Sequence, residues 1–171
     1  MKNLILIGMP GVGKSTVGVL LAKAASREFI DTDVWIQSRE SRRLQDIIDT
    51  MGMEAFCALE ERSILALAIH NAVIATGGSV VYSEAAMRHL KAGGVAIHLD
   101  LDLPSLEKRL TNLDSRGVVR APSQSLAGLF AERQPLYRRH ADLTVDCAGK
   151  THEEVVESIL RIVDCRSSIA D

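Results

Sequence analysis

The segment that most constrains the fold of this chain is the glycine-rich stretch GMPGVGKS at residues 8–15. It follows a short apolar run at residues 4–7, typical of a buried parallel strand, and precedes residues 16–23, whose pattern predicts a helix. Glycines let the backbone amides of such a loop point at a phosphate, and the helix adds the positive end of its dipole. The segment therefore favours a nucleotide phosphate site over a simple connecting turn.

Two side chains of this loop have expected partners on the nucleotide. Lys14 would supply a positive charge to the β- and γ-phosphates, and the Ser15 hydroxyl is placed to bind the Mg²⁺ that accompanies them. The other positions of the predicted nucleotide site are Gly8, Gly11, Val12, Gly13 and Thr16.

The composition is that of one α/β domain without a polyanion or membrane partner. The 171 residues are 47% hydrophobic and 25% charged, and 20 basic and 22 acidic side chains give a formal net charge of −2. Because the two signs are mixed along the chain, we expect no nucleic-acid surface. No apolar run approaches the roughly 20 residues that a membrane span needs. Widely spaced cysteines without a CxxC pair predict free thiols in a reducing, cytoplasmic compartment, and these are Cys57, Cys147 and Cys165.

A second predicted strand ends in two acidic residues. Residues 29–31 form a short apolar run ending at Asp31, and Asp33 follows two positions later. If the chain is still extended there, both carboxylates face the crevice above the glycine loop, where open α/β sheets bind ligands. An acidic group at that place can hold Mg²⁺ through water or accept a proton from an attacking hydroxyl. The alternative is that Asp33 only caps the helix that follows.

The next segment, residues 34–70, is predicted to be helical with a break near residues 50–52. In its second half, apolar residues at three- and four-residue spacing form one stripe that includes Glu60. Glu60 is either a partly buried group with an ion-pair partner or a carboxylate at the rim, and the rim is the favoured interpretation. Cys57, one turn earlier, is interpreted as a small core residue.

A third predicted strand, residues 72–75, is closed by a glycine pair. Gly77 and Gly78, followed by Ser79, again fall at the carboxyl end of a strand, where backbone amides can approach a ligand, although a tight turn is an equal alternative. Two more strands are predicted at 95–99 and 143–145, and helices at 83–91, 104–110, 126–136 and 151–163.

Residues 111–125 change composition to Thr, Asn, Asp, Ser, Gly and Pro with two arginines, Arg116 and Arg120. This pattern is typical of a mobile loop that closes over a site. In a protein that handles phosphate, arginines on such a loop can reach the transferred group when the loop closes. The alternative is ordinary solvated loop charge.

Together these motifs resemble the shikimate kinases, a family of small P-loop kinases, from residue 3 to about residue 162. The resemblance implies an α/β P-loop NTPase fold, a three-layer α/β/α structure with a five-stranded parallel sheet. It also implies a single domain over residues 1–171, with a substrate-binding subdomain at about 32–62 and a lid at about 111–125. The expected reaction is transfer of the γ-phosphoryl group of ATP to a hydroxyl of shikimate. The motifs that carry the resemblance are residues 8–16, 29–33, 52–56 with Glu60, 75–78, Arg109 seven residues before Arg116, and 133–138.

The same resemblance implies roles on the nucleotide side. Lys14 and Ser15 would serve ATP and Mg²⁺, and Asp31 would support the metal through water. Arg109 would lie by the adenine, and Arg116 would reach the phosphates from the lid. The catalytic group therefore includes Lys14 and Arg116 besides the acceptor-side base.

On the acceptor side, the resemblance implies that Asp33 orients or deprotonates the hydroxyl. Gly77 and Gly78 would line the pocket, and Arg138 would hold an acceptor carboxylate. Cys57, Glu60 and Ser79 complete the expected substrate-binding set.

Three departures from the family pattern fall near this pocket. Cys57 stands where shikimate kinases have an arginine that binds the acceptor carboxylate, Ser79 replaces the last of three glycines, and the lid reads RGVV at residues 116–119. Loss of one arm of a two-arginine clamp should weaken binding of an acid and leave Glu60 short of a partner. Other arginines are open as substitutes, namely Arg42, Arg43, Arg120 and Arg139.

Two alternatives to shikimate phosphorylation remain at this point. An acceptor with an ammonium group, such as homoserine, would fill the vacancy beside Glu60. A catalytically silent nucleotide-binding module is the alternative from another class, although Asp33 and Arg116 argue against it. No coiled coil or spare apolar stripe is present, which favours a monomer.

Overall fold

The computed structural model describes residues 1–110, 118–120 and 123–167. Its strands are β1 (Asn3–Ile7), β2 (Glu28–Asp31), β3 (Ala72–Ala75), β4 (Gly94–Asp100) and β5 (Leu143–Asp146). Its helices are α1 (Lys14–Ala24), α2 (Thr32–Glu40), α3 (Leu44–Met51), α4 (Met53–Leu65), α5 (Glu84–Gly93), α6 (Leu103–Arg109), α7 (Leu126–His140) and α8 (His152–Ser167), with a 3₁₀ turn at Val80–Tyr82.

The five strands form one parallel sheet in the order β2-β3-β1-β4-β5. Central β1 pairs with β3, where Leu4 faces Val73, and with β4, where Leu4 faces Val95. Helices cover both faces, and α1 packs against α8 whereas α4 packs against α5. This confirms the expected three-layer α/β/α fold, and it brings the loops after β1, β2 and β3 to the same edge of the sheet.

Two clusters of buried apolar side chains hold this arrangement together. The larger one is built on the sheet, and every residue of β1 is buried, as the apolar run at residues 4–7 predicts for most of the strand. The smaller one lies among α2, α3 and α4 and includes Ile36, Ile47 and Phe56. Apart from Val119, it falls within residues 32–62, whose separate role in binding the acceptor stays a prediction.

The helical segment predicted at residues 34–70 is wrong in its extent and has one break more than predicted. It is three helices, because Ser41 ends α2 in a left-handed conformation with φ +51° and Gly52 separates α3 from α4 with φ +82°. The break near residues 50–52 is confirmed, whereas α4 already ends at Leu65.

The remaining predicted helices and strands are confirmed, with α7 and α8 longer than expected. Helix α8 begins with a capping box. Its Thr151 amide donates to Glu154 Oε2 at 2.7 Å, and the Glu154 amide donates to Thr151 Oγ1 at 3.2 Å.

Candidate active site

A cavity of about 810 Å³ lies at the carboxyl edge of the sheet and joins the predicted nucleotide and acceptor residues. One wall is the loop after β1, with Lys14 and Ser15. The lining also includes Asp33 from α2, the turn after β3 and Arg133 from α7. The predicted residues that line it are Gly11, Gly13, Lys14, Ser15, Thr16, Asp33, Gly77, Gly78, Ser79 and Arg109.

The loop after β1 has the geometry of a phosphate site. Gly13, just before α1, has φ +108°, a conformation that only glycine adopts without strain. Gly13 provides no side-chain cap, so the first amides of α1 remain available to an anion. Val12 is buried beneath the loop, and the carbonyl of Gly8 accepts a hydrogen bond from Lys14.

Lys14 is buried and bonded to its own loop. Its Nζ donates to the carbonyls of Gly8 at 2.7 Å and Met9 at 3.0 Å. Burial lowers the pKa of Lys14 to about 8, and the negative charge of Asp33 opposes that shift. The ammonium group therefore stays charged at neutral pH and is held where phosphate oxygens would enter.

Asp31 and Asp33 do not point the same way, contrary to the expectation. Helix α2 begins at Thr32, so the chain is no longer extended between them. Asp31 is the helix cap, because its Oδ1 accepts from the amides of Asp33 at 3.0 Å and Val34 at 3.2 Å. The alternative that Asp33 is the cap is wrong, and Asp33 faces the cavity instead.

Asp33 has the properties of a proton acceptor. Burial, and next the charge of Asp31, raise its pKa to about 6, while Lys14 lowers it. Its Oδ1 is enclosed and has no hydrogen-bond partner among the residues that the structure describes.

Glu60 is buried, with 3% of its surface exposed, so the rim interpretation is wrong. Ser79 Oγ donates to Glu60 Oε2 at 2.7 Å, and Glu60 Oε1 has no partner within the described part of the chain. Burial raises the pKa of Glu60 to about 7, and the hydrogen bond from Ser79 opposes the shift. Helix α4 places Glu60 here because its apolar stripe faces inward.

Gly77 explains why a glycine pair follows β3. A Cβ on Gly77 would overlap Glu60 Oε1 and would lie 2.7 Å from Asp33 Oδ1. The two unpartnered carboxylate oxygens therefore lie against the same side of Gly77. The Gly77 amide donates to Thr32 Oγ1 at 3.1 Å, which ties this turn to the start of α2.

The structure does not place Arg138 in this cavity. Arg138 lines a smaller cavity of about 280 Å³ with Asp100 and Gln134. The prediction that Arg138 holds the carboxylate of the acceptor is therefore wrong. Arg133 is the arginine of α7 in the main cavity. Two residues five positions apart point about 140° away from each other around a helix, and only one can face the site.

Arg133 is held firmly and keeps one nitrogen toward the turn after β3. It is 1% exposed, its Nε donates to the Tyr82 hydroxyl at 3.0 Å, and its Nη2 donates to the carbonyl of Val119. Its Nη1 lies 2.9 Å from the position of a Cβ on Gly78. Sequence reasoning missed this residue, although its spacing from buried Leu129 and Tyr137 is four residues in each direction.

The residues expected to compensate for Cys57 do not line the cavity, and neither does Cys57 itself. Cys57 is half-buried, and burial raises the pKa of its thiol. Arg42 donates to Thr50 Oγ1 at 2.6 Å, and Arg139 pairs with Glu84 at 2.6 Å. The other two, Arg43 and Arg120, also lie outside the cavity lining.

Beside the loop after β1, Arg109 donates to the carbonyl of Val12 at 3.1 Å. His152 at the start of α8 also lines the cavity there, and a Cβ on Gly13 would lie 3.0 Å from its Nε2. Sequence reasoning missed His152. The predicted lid residue Arg116 lies outside the described residues, as do residues 111–117 and 121–122 of the lid.

Two kinds of feature are absent from the part of the chain that the structure describes. Among the described residues, no group of three or more His, Cys, Asp and Glu side chains is arranged to hold a metal ion. None of the helices in the described ranges is long and apolar enough to cross a membrane.

The chain is similar in sequence to known proteins over most of its length. The family model described as Shikimate kinase matches residues 10–164. Shikimate kinase 2 of Enterobacter sp. (strain 638) is 35% identical over 164 residues, which cover 93% of this chain and 94% of that protein.

Two solved structures are also similar. Shikimate kinase from Acinetobacter baumannii in complex with shikimate has a TM-score of 0.89 at 27% identity, and the match covers 97% of this chain and 94% of that chain. Shikimate kinase from Aquifex aeolicus has a TM-score of 0.83 at 31% identity, covering 96% of this chain and 98% of that chain.

Proposed function

This chain belongs to the shikimate kinase family, and on that premise we propose that it transfers the γ-phosphoryl group of ATP to a hydroxyl group of shikimate. The observation that carries the proposal is the shared cavity of Lys14 and Asp33, a phosphate-binding cation and a carboxylate base. The relative from Acinetobacter baumannii that resembles this chain was solved with shikimate.

The nucleotide binds at the loop after β1. The backbone amides around Gly11 and Gly13 surround the phosphates, with Lys14 against the β- and γ-phosphates. Arg109 and His152 line the end of the cavity where the base would lie. Arg116 belongs to the same proposal, as the lid arginine that reaches the transferred group.

The residues present fit a magnesium ion held mostly by phosphate and water. Ser15 is exposed at the cavity wall, and its hydroxyl would be the direct protein ligand, whereas Asp31, which caps α2, does not line the cavity. When bound with ATP, Mg²⁺ neutralises part of the charge on the phosphates.

Asp33 acts on the acceptor. Its carboxylate accepts the proton of the attacking hydroxyl while the hydroxyl oxygen bonds to the γ-phosphorus and the bond to the bridging oxygen of ADP breaks. A pKa of about 6 leaves Asp33 ionised at neutral pH and more basic than an exposed aspartate. Arg133 Nη1 is directed toward Gly78 and would hold the shikimate carboxylate.

The test is an ADP-release assay with shikimate, followed by mass spectrometry of the product. We expect ADP release that depends on shikimate and one phosphorylated product per ADP. ATP binding without any phosphorylated product would instead support the silent nucleotide-binding module and overturn the proposal.

A further inference from the structure

On the acceptor side of the cavity, two buried carboxylate oxygens lack a hydrogen-bond donor among the described residues. Glu60 Oε1 and Asp33 Oδ1 lie against the same side of Gly77, and neither has a hydrogen-bond partner in the described part of the chain. Ser79 lines the cavity and donates to the other oxygen of Glu60, so this carboxylate lies directly behind the cavity wall. Buried carboxylates without a donor are costly, and a ligand that brings a donor relieves that cost.

The nearest cations are already bonded to other groups. Lys14 Nζ donates to two carbonyls of its own loop. Arg133 donates through Nε to Tyr82 and through Nη2 to Val119, which leaves Nη1 toward the turn at Gly78. Among the described residues, neither cation forms an ion pair with Glu60.

Helix α4 adds no positive charge on this wall. Cys57 lies three residues before Glu60, a spacing that brings two side chains together on a helix. Its thiol is neutral, because burial and the charge of Glu60 both raise its pKa. The wall around Gly77 therefore suits a cationic group supplied by the ligand.

We propose that this site also phosphorylates small hydroxy acids that carry a primary ammonium group. The ammonium group lies against the cavity wall at Gly77 and Ser79, directly in front of Glu60, the carboxylate binds Arg133, and the hydroxyl lies at Asp33. Because Glu60 and Asp33 meet at one glycine, the nitrogen and the hydroxyl of the acceptor are separated by only two or three carbons. The inference rests on the proposed function, since it uses the same transfer from ATP.

The chemical step is balanced in the same way as with shikimate. The hydroxyl oxygen forms a bond to the γ-phosphorus, the bond between that phosphorus and the bridging oxygen breaks, and ADP leaves with the electron pair. The hydroxyl proton passes to the Asp33 carboxylate. The ammonium group takes no part in the transfer and serves only for binding.

The test compares two acceptors that differ only in the ammonium group, L-homoserine and 4-hydroxybutyrate, with shikimate measured separately. We expect phosphorylated product from L-homoserine, with kcat/KM about 30-fold or more above that for 4-hydroxybutyrate. Equal values for the two acceptors, or no product from L-homoserine while shikimate is phosphorylated, would overturn the inference and leave the proposed function intact. Failure with shikimate alone would contradict the proposed function only.

Variants of α4 test the charge argument directly. Glu60→Gln keeps the size of the side chain and the contact with Ser79, and we expect it to bring the ratio of the two kcat/KM values close to one. Cys57→Arg places a cation three residues before Glu60 and should lower kcat/KM for L-homoserine by about 10-fold or more. Cys57→Met adds comparable length without charge and should lower it less. An unchanged ratio in a folded Glu60→Gln protein, checked by its thermal midpoint, would refute the role of Glu60.

Discussion

Asp33 and Lys14 show how single residues acquire chemistry from their surroundings. Both are ordinary ionisable groups, and burial moves their pKa values toward each other, to about 6 for Asp33 and about 8 for Lys14. Each remains charged at neutral pH, and each charge favours the other. The cavity thus holds an ionised carboxylate and an ammonium group together without a direct ion pair between them.

Removing the base tests the role of Asp33. We expect Asp33→Asn to lower kcat for shikimate by about 100-fold or more, because the amide cannot accept the hydroxyl proton. ATP affinity, measured by calorimetry, should change much less. Asp46→Asn, on the neighbouring helix α3, is the matched control, and wild-type turnover in Asp33→Asn would contradict the assignment.

The two arginines of α7 make a second test at this scale. Arg133→Met should raise KM for shikimate by about 30-fold or more, since a buried charge contact with the acceptor carboxylate is lost. Arg138→Met changes the same residue type on the same helix and should leave KM near the wild-type value. If Arg138→Met raised KM and Arg133→Met did not, with both proteins folded by circular dichroism, Arg138 would be the arginine that binds the acceptor carboxylate.

At the scale of elements, the turn after β3 connects the two halves of the site. The amide of Gly77 is bonded to α2 through Thr32, and the carbonyl of Gly78 accepts from the Tyr137 hydroxyl of α7 at 2.7 Å. The turn thus fixes the start of α2, which bears Asp33, relative to α7, which bears Arg133. Glycine at position 77 lets Glu60 of α4 approach as well.

A methyl group at this turn should disturb that arrangement. Gly77→Ala would push Asp33 and Glu60 aside, and we expect kcat/KM for shikimate to fall by about 10-fold or more. Gly93→Ala is the control, because a Cβ there would meet only Asn3 Nδ2 at an ordinary 3.7 Å. The measurement is kcat/KM for shikimate in both variants. Full activity of Gly77→Ala would show that the turn accepts a methyl group without moving Asp33.

For the whole molecule, the buried carboxylates couple stability to pH. Burial raises the pKa of Glu60 from its ordinary value of 4.5 to about 7 in the folded protein, so folding favours the protonated form. The stability that this form contributes is complete below pH 4.5 and is lost as the pH rises through 7. Asp33 acts in the same direction at lower pH, since its pKa rises from 3.8 to about 6.

Urea unfolding measures this coupling. Between pH 5 and pH 8, we expect the free energy of unfolding of the wild type to fall relative to that of Glu60→Gln by up to about 3 kcal/mol. Glu107→Gln, at an exposed position of α6, should follow the wild type over the same range. A constant difference between wild type and Glu60→Gln would mean that Glu60 does not titrate in this window.

The sequence alone determined those features that depend on neighbours in the chain. The glycine loop, the apolar run before it and the glycine pair after β3 predict phosphate binding at the edge of a parallel sheet, because backbone conformation and strand burial follow local pattern. The place of Asp33 after a strand also predicted its position at the cavity, although the chain is not extended there as expected.

Only the tertiary structure decided which side chains meet across the cavity. Arg133 rather than Arg138 lies at the site because the packing of α7 selects one face, and Glu60 is buried rather than at the rim because α4 packs behind Gly77. Asp31 became a cap because α2 begins directly after it. Burial and direction of a polar side chain depend on what packs around it, and those neighbours are distant in the chain.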